Sequence, residues 1–353
     1  MTVRQFATAI GPVLGGVIVN TLDYHWIFWF LVILSFLAIF AVILFLPETL
    51  RSIAGNGSVR LMDFRHQPLY EKLCSKDQRP SSQLPHPRTK ITWRAFVEPA
   101  ACLLEKDVAC TLFFGGVIFT VWSMVTASTS VLLSQNYHLN VLQIGFCFLP
   151  NGIGCIAGSI TSGIQLDKDF RGAEELYRYR NGLSSSHSLS KKQLPDDFPL
   201  ERARLAQLLT AVPTFVFGLL IYGFGTAPST SLALPLLAQF VIGYSSTAIL
   251  NLNNTLTIDL YPSKGASATA VNNLARCMLG AVGVSFTILA LNKVGAKVLF
   301  SILAAIVLLA STTAAAGWKY GMQWRAARVN RLQKASDEIC KIQTEDSDRS
   351  ERP

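Results

Sequence analysis

The stretch "WIFWFLVILSFLAIFAVILFL", residues 26–46, decides the fold class because it contains no charged residue. The hydrocarbon core of a bilayer is about 30 Å thick, and a helix needs roughly 20 apolar residues to cross it. Half of the 353 residues are hydrophobic and only 15% are charged. The mean hydropathy of +0.37 is high for a water-soluble protein of this size. The stretch therefore predicts a helix that spans a membrane.

Seven further apolar runs have the same character, which predicts eight spans in all. They are residues 6–19, 108–133, 141–166, 205–227, 232–258, 266–291 and 298–318. Lipid offers no hydrogen-bond partners to backbone amides, so a spanning segment must be a helix or part of a closed barrel. The short alternating strands of a barrel are not visible in this sequence. We therefore predict an all-α membrane protein.

The basic residues indicate how the spans are oriented. If the chain start is cytosolic, only Lys293 and Lys297 of the 31 basic residues fall on the opposite side, and Arg276 falls inside a span. Cytosolic loops of membrane proteins carry this excess of Lys and Arg. The net charge of +9 is then explained by loops that face an anionic leaflet. We expect the lipid bilayer as a partner and no nucleic acid, since no basic patch is interleaved with aromatic residues.

Motifs of enzymes and metal sites are missing from the sequence. The seven cysteines are scattered without a CxxC pair, and the five histidines include no HExxH. This pattern predicts neither a disulfide framework nor a zinc site. Since no GxSxG, Walker or dinucleotide motif is present either, we expect no enzyme activity, no cofactor and no bound metal.

Composition divides the chain into four parts. Residues 1–47 hold two spans, and residues 48–106 form a polar, proline-rich linker with a short amphipathic helix predicted at "WRAFVEPAACLLEK". Residues 107–319 hold six spans and a polar cytosolic loop at 167–204, which contains "SSSHSLSKK". Residues 320–353 form a charged cytosolic tail that begins as a helix. The linker and the loop have the composition of flexible segments.

Two spans carry stripes of small residues. The first contains "GPVLGG" at 11–16, and the fourth contains "NGIGCIAGSITSG" at 151–163. Small residues let membrane helices approach closely, and proline bends a helix. We therefore expect Gly11, Gly15 and Gly16, with a bend at the intervening proline, to face the second stripe. Packing of each stripe on some other helix is the alternative.

Several motifs together resemble one family. "GPVLGG" is similar to the antiporter signature in the fifth helix of twelve-span major facilitator transporters. "HWIFWF" followed by "FLPETLRSIAGNGS" resembles the sixth helix of the fungal drug:proton antiporters of the quinidine-resistance type. "LLEKDVA", "QIGFCFLPNGIG", "GIQLDKDFR" and "DLYPSKGASATAVNNLARCMLGA" resemble the second half of that family in order and spacing. The resemblance implies a major facilitator fold that is incomplete, with two helices of the N-terminal bundle and the six-helix C-terminal bundle.

The same resemblance implies a function. It implies a secondary transporter that exports drugs or small metabolites by proton antiport and alternating access, with a small-molecule substrate and the proton as partners. The plasma membrane is the location it implies, and the vacuolar membrane is the alternative. Two other interpretations stay open. One is a truncated, non-transporting protein or an incomplete gene model that lacks the family's first four helices, and the other is a secretory signal in residues 1–21.

The segment "GIQLDKDFR", residues 163–171, resembles the family's loop motif GxxxD(R/K). The resemblance assigns the role of a latch to Gly163, Asp167, Lys168 and Arg171. Asp167 would cap the start of the first span near residues 2–5, where the positive end of the helix dipole favours an anion by about 0.3–1 kcal/mol. A solvated loop carboxylate is the alternative.

Arg276 is the sharpest single candidate, because a charge inside a span is costly unless it is paired or faces water. Asn272, one turn earlier, and Asn273 are within its reach. The nearest carboxylate in sequence is Asp259. Three roles stay open: structural pairing, a substrate or coupling role, and snorkelling to the cytosolic face about 15 Å away.

The resemblance further implies a substrate cavity lined in part by the family's seventh and tenth helices. These correspond to the spans 108–133 and 232–258. The candidate lining residues are Trp122, Ser123, Thr126, Ser130, Gln239, Tyr244, Asn251 and Asn254, together with Asn272 and Arg276. Aromatic and amide side chains suit bulky amphipathic or cationic compounds. Ordinary polar contacts between helices are the alternative for each residue alone.

Proton coupling requires an acid whose pKa the protein can shift. No Asp or Glu lies deep in any predicted span, and the nearest are Asp23, Asp167 and Asp259 at the span ends. The sequence leaves open whether one of these rim acids couples transport or whether the acid belongs to the family's first four helices.

Overall fold

The computed structural model describes residues 2–46, 105–182, 198–227, 229–260 and 265–350. Within these ranges the secondary structure consists of nine α-helices. They are α1 (Thr2–Thr21), α2 (His25–Phe45), α3 (Lys106–Tyr137), α4 (Val141–Cys147), α5 (Leu149–Asn181), α6 (Leu200–Leu205), α7 (Leu208–Gly225), α8 (Ala233–Leu260) and α9 (Gly265–Ser350). The prediction of an all-α protein is confirmed.

Six helical segments of the described chain are long and apolar enough to cross a membrane. They are His25–Phe45, Lys106–Tyr137, Val141–Asn181, Leu200–Gly225, Ala233–Leu260 and Gly265–Arg331. A shorter apolar helix, Gln5–Thr21, carries the first predicted run. The last of the six segments contains the final two predicted runs. Together these segments account for every span that the sequence predicts.

A glycine divides the longest helix. α9 contains 86 residues, and an unbroken helix of that length would extend about 130 Å. Gly295 interrupts it with φ 78° and ψ 163°, a backbone conformation that is essentially restricted to glycine. We call the two halves α9a, residues 265–294, and α9b, residues 296–350. Each half carries one of the last two predicted spans.

The chain forms two compact units, one of Met1–Gly16 with Arg94–Pro353 and the other of Val17–Trp93. In the first unit α8 occupies the interior and packs against α3, α5, α7 and α9. Its side chains Ile242, Ile249 and Leu252 are completely buried. In the second unit the described helix is α2 with the end of α1, and α2 buries none of its residues.

Some of the predicted segments lie outside the described residues, and others are helical in the structure. The polar segment "SSSHSLSKK" and residues 93–104 of the predicted amphipathic helix lie outside the described residues. α5 continues to Asn181, so the first part of the predicted loop at 167–204 is helical. α9b remains helical to Ser350. The four predicted parts of the chain, with their three boundaries, stay predictions.

Glycines of α5 allow close contact with α8. A Cβ atom at Gly154 would collide with the backbone of Phe240, and one at Gly158 would collide with the backbone of Tyr244. Only the absence of a side chain lets the two helix backbones approach this closely. At Gly152 of the same stripe, an added Cβ would instead collide with the backbone of Ala9 in α1. The expectation that this stripe faces α1 is therefore met at Gly152, whereas Gly154 and Gly158 pack on α8.

The glycine stripe on α1 also contacts α4. A Cβ atom at Gly16 would lie 3.2 Å from a backbone oxygen of α4, and one at Gly145 of α4 would lie 2.8 Å from the carbonyl oxygen of Pro12. At Gly11 and Gly15 an added Cβ would have no neighbour within 4 Å. The packing role that the antiporter resemblance assigns to these α1 residues stays a prediction.

Candidate substrate-binding site

A cavity of about 190 Å³ lies inside the first unit, between α1, α3, α8 and α9a. It is lined by Gln5, Thr8, Phe119, Trp122, Thr247, Leu250 and Arg276. Arg276 lies about 16 Å along α9a from Gly265, at 1.5 Å per residue. That distance is about half the thickness of the hydrocarbon core. The cavity therefore lies near the middle of the membrane.

Arg276 provides the charge of this cavity. Its side chain is 6% exposed, and its Nη2 atom donates a hydrogen bond to Oδ1 of Asn273 at 2.6 Å. The guanidinium carbon lies 5.2 Å from the ring centroid of Phe119, within the range of a cation–π interaction. The arginine is thus held by an amide and an aromatic face at the wall of the cavity. Asp259, its nearest acid in sequence, forms an ion pair with Arg204 at 2.8 Å.

α1 contributes a polar wall on the N-terminal side of Pro12. Gln5 is 6% exposed, and the hydroxyl of Thr8 donates to the carbonyl oxygen of Gln5 at 2.7 Å. Pro12 has no N–H, so the carbonyl of Thr8 loses its helical donor four residues later. A backbone acceptor is therefore available in the turn of α1 that lines the cavity.

Trp122 connects the cavity to α5. Its indole Nε1 donates to Oδ1 of Asn151 at 3.4 Å, and its ring centroid lies 5.9 Å from that of Phe119. The hydroxyls of Ser123 and Thr126 donate to backbone carbonyls of the preceding turn of α3. These two predicted residues therefore use their donors within their own helix. The fourth predicted residue of this helix, Ser130, is exposed.

The predicted residues of α8 make hydrogen bonds to neighbouring helices. Asn251 donates to the hydroxyl of Ser162 at 3.1 Å, and Asn254 accepts a bond of 2.7 Å from Asn272 of α9a. Gln239 donates to the hydroxyl of Thr129 at 3.3 Å. These bonds join α8 to α5, α9a and α3, respectively.

Tyr244 also contacts α5, because its hydroxyl accepts a bond of 3.1 Å from Thr161. Among the predicted substrate residues, the structure thus brings Trp122 and Arg276 together at the cavity. It places most of the others at contacts between helices. Their roles toward a substrate stay predictions.

Sequence reasoning did not identify five lining residues, namely Gln5, Thr8, Phe119, Thr247 and Leu250. Two signals were available. Gln5 and Thr8 lie three residues apart at the start of an apolar run, so they share a helix face. Phe119 precedes Trp122 by the same interval. Thr247 and Leu250 carried no signal, because which face of α8 lines the cavity depends on how the helices pack.

The residues of the predicted latch lie on the surface of α5. Gly163, Asp167, Lys168 and Arg171 are all exposed. Within the described residues no hydrogen bond or ion pair involves Asp167. The capping role of Asp167 toward residues 2–5 stays a prediction.

A layer of buried ion pairs closes the end of the bundle at which α3 begins. Asp107 and Arg328 lie 2.7 Å apart with both side chains 5% exposed. Glu201 and Arg325 lie 3.2 Å apart. Arg328 also donates to the backbone oxygen of Leu260 at 3.2 Å. The layer fixes α9b to α3, α6 and α8, and sequence reasoning missed it because the partners are far apart in the chain.

The arrangement described so far is that of a polytopic helical membrane protein with a charged, mid-membrane cavity. The sequence profile of the Major Facilitator Superfamily matches residues 1–180. The chain belongs to this superfamily, as the motifs predicted.

Curated relatives of this chain are fungal transporters. It is 39% identical to Citrate exporter 1 of Aspergillus niger over 94% of this chain and 62% of the relative. It is 30% identical to the MFS antiporter QDR2 of Candida albicans over 78% of this chain and 53% of the relative. It is 28% identical to Quinidine resistance protein 1 of Saccharomyces cerevisiae over 85% and 56% of the two chains. The chain thus spans somewhat more than half the length of these relatives.

Proposed function

We propose that this protein is a secondary transporter that exports small organic compounds in exchange for protons by alternating access. The observation that carries the proposal is the buried charge of Arg276 at the wall of the mid-membrane cavity. An ionisable residue inside a membrane protein marks a substrate or ion pathway by default. The relatives named as an exporter and as an antiporter support the same function.

We further propose that the substrate is a small organic anion. Arg276 places a positive charge at the cavity, which attracts a carboxylate and repels a cation. The face of Phe119 that could attract a cationic drug is already occupied by that guanidinium at 5.2 Å. The relative named as a citrate exporter is 39% identical, compared with 30% and 28% for the two drug-related proteins. Citrate is the natural first probe.

The proposal of proton coupling has two sources of support. It draws on the relative named as an antiporter and on the acids at the end of the bundle, Asp107, Glu201 and Asp259. Each of these carboxylates is paired with an arginine. Protonation of one acid would release its arginine partner and so change how α3, α6, α8 and α9b are held together. The plasma membrane is the location we propose for this multi-pass protein.

The test is transport by the purified chain in proteoliposomes, with radiolabelled citrate and radiolabelled quinidine as probes and an imposed pH gradient. We expect citrate transport that depends on the gradient. Arg276→Gln should lower the citrate rate about tenfold or more, since a hydrogen bond to a charged group contributes about 1.5–3 kcal/mol. Arg276→Lys should retain part of the rate, because the charge is kept and the fork of donors is lost.

The matched control is Lys297→Gln, which removes one positive charge from an exposed position and should transport as the parent does. Equal rates for Arg276→Gln and the parent would contradict the role of the cavity. Transport of quinidine without citrate would contradict the anionic substrate. Movement of neither compound would contradict transport itself, and citrate transport without a gradient effect would contradict proton coupling.

A further inference from the structure

A second, apolar groove of about 290 Å³ runs along the outside of the bundle between α7 and α9b. Its walls include Leu208, Val212, Pro213, Leu308 and Ala315. The neighbouring side chain of Leu209 is 78% exposed, as expected for a surface that faces lipid tails. The groove is therefore open to the hydrocarbon core and has the chemistry of an acyl chain.

One end of the groove is aromatic and basic. Trp318 lines it, and the guanidinium carbon of Arg202 lies 5.5 Å from the centroid of the Trp318 ring. A smaller cavity of about 70 Å³ continues past Trp318 and is lined by Arg202 and Lys319. Tryptophan is enriched at the level of lipid headgroups. The groove thus ends at the membrane interface, on the side that the basic residues mark as cytosolic.

The charge at this end is positive. Among the described residues that line the smaller cavity, the acid is Glu201, which is paired with Arg325 at 3.2 Å. Arg202 and Lys319 are exposed, and no carboxylate of the described residues forms an ion pair with either. Two basic side chains therefore face the headgroup region, and no acid among the described residues is paired with them.

We infer that this groove binds one anionic phospholipid of the cytosolic leaflet. An acyl chain lies along Leu208, Val212 and Ala315, and the phosphate contacts Arg202 and Lys319. The charge decides the occupant, because a zwitterionic lipid has the same tail and no net charge to match the two cations. Basic pockets between membrane helices at the cytosolic side are suited to anionic headgroups. The inference goes beyond the transport function and does not depend on the substrate.

The test is native mass spectrometry of the full chain released from detergent. Phosphatidylserine and phosphatidylcholine with identical acyl chains are titrated, and bound lipid is counted. We expect one retained phosphatidylserine and weaker binding of phosphatidylcholine. Arg202→Gln combined with Lys319→Gln should weaken the retained phosphatidylserine roughly 30-fold, since each basic residue near an anionic surface contributes about fivefold.

The matched control is Lys293→Gln combined with Lys297→Gln, which removes the same charge from exposed positions on either side of Gly295. It should retain the lipid as the parent does. Ala315→Phe fills the groove from an exposed position and should also weaken lipid retention, by removing space for the chain. Its monodispersity in detergent shows whether the variant folds.

Three outcomes would overturn the inference. The first is equal retention of phosphatidylserine by the parent and the Arg202/Lys319 double variant. The second is full retention by a folded Ala315→Phe variant. The third is complete competition by soluble glycerophosphoserine, which would show a phosphate site that does not use the groove.

Discussion

α2 and α8 are both long membrane helices, but they differ in which side chains they bury. α2 is the most apolar of the candidate spans and buries none of its residues. α8 carries Gln239, Asn251 and Asn254, and each of these polar side chains is less than 10% exposed, at 2%, 6% and 8%. In a water-soluble protein the order would be reversed. The difference shows that this protein exposes its most apolar helix and buries polar side chains beside apolar ones such as Ile249.

The physical reason is the solvent. Lipid tails are as apolar as a leucine side chain, so burying an apolar residue gains little in a membrane. Close packing of small residues and hydrogen bonds between helices must hold the bundle together. The contacts of α8 have this character, with glycines of α5 against its backbone and amide bonds to α5 and α9a.

The largest expected effect comes from removing one charge of a buried ion pair. Asp107→Asn removes the carboxylate charge that lies 2.7 Å from the buried guanidinium of Arg328. We expect the free energy of unfolding to fall by about 3–5 kcal/mol. Equilibrium unfolding in mixed micelles measures it. The control is Glu105→Gln, whose partner Arg331 is 69% exposed, and it should cost less than about 1 kcal/mol. Equal losses would remove the distinction between interior and surface charges.

A smaller effect should follow when the close approach of α5 and α8 is blocked. Gly158→Ala places a methyl group against the backbone of Tyr244 and should destabilise the protein by about 1–3 kcal/mol. Gly163→Ala is the matched change on the same helix, where a Cβ meets no atom within 4 Å. It should be neutral or slightly stabilising. The same micelle titration compares them, and a loss at Gly163 as large as at Gly158 would refute the packing argument.

The smallest expected effect comes from matched substitutions in α8 and α2. Ile249 of α8 is fully buried, at 0% exposed, and Ile33 of α2 is 61% exposed. Ile249→Val should lower the free energy of unfolding by about 0.5–1.5 kcal/mol, because it leaves a small cavity. Ile33→Val should stay within about 0.5 kcal/mol. If the change in α2 cost as much as that in α8, α2 would have a packed face that the described structure does not show.

The sequence was most informative where a single continuous stretch or a single residue carries the signal. The run at 26–46 predicted α2 to within a residue at each end, and Arg276 was singled out because its charge interrupts an apolar span. The cavity was less accessible. Gln5 and Thr247 belong to distant segments, and only the packing of the helices brings them to the cavity that Arg276 lines.

The division of α9 shows a further limit. The sequence predicted two spans with a short connection at residues 292–297, and the structure places the break at Gly295 with φ 78°. The glycines of α5 illustrate the opposite case, since a stripe of small residues predicts close packing and does not name the partner helix. Gly154 and Gly158 meet α8, and Gly152 meets Ala9 of α1, so only part of the stripe faces the helix that the pattern suggested.

The sequence by itself determined that this chain is a membrane protein, where its apolar spans lie and to which superfamily it belongs. Each of these depends on local composition and order, since the free energy of inserting a segment is a property of that segment. The tertiary structure alone decided that Asp107 meets Arg328, that α5 packs on α8 and that Arg276 borders a cavity with Gln5. Lipid solvates every apolar helix face alike, so the sequence gives no partner for a face until shapes and hydrogen bonds select one.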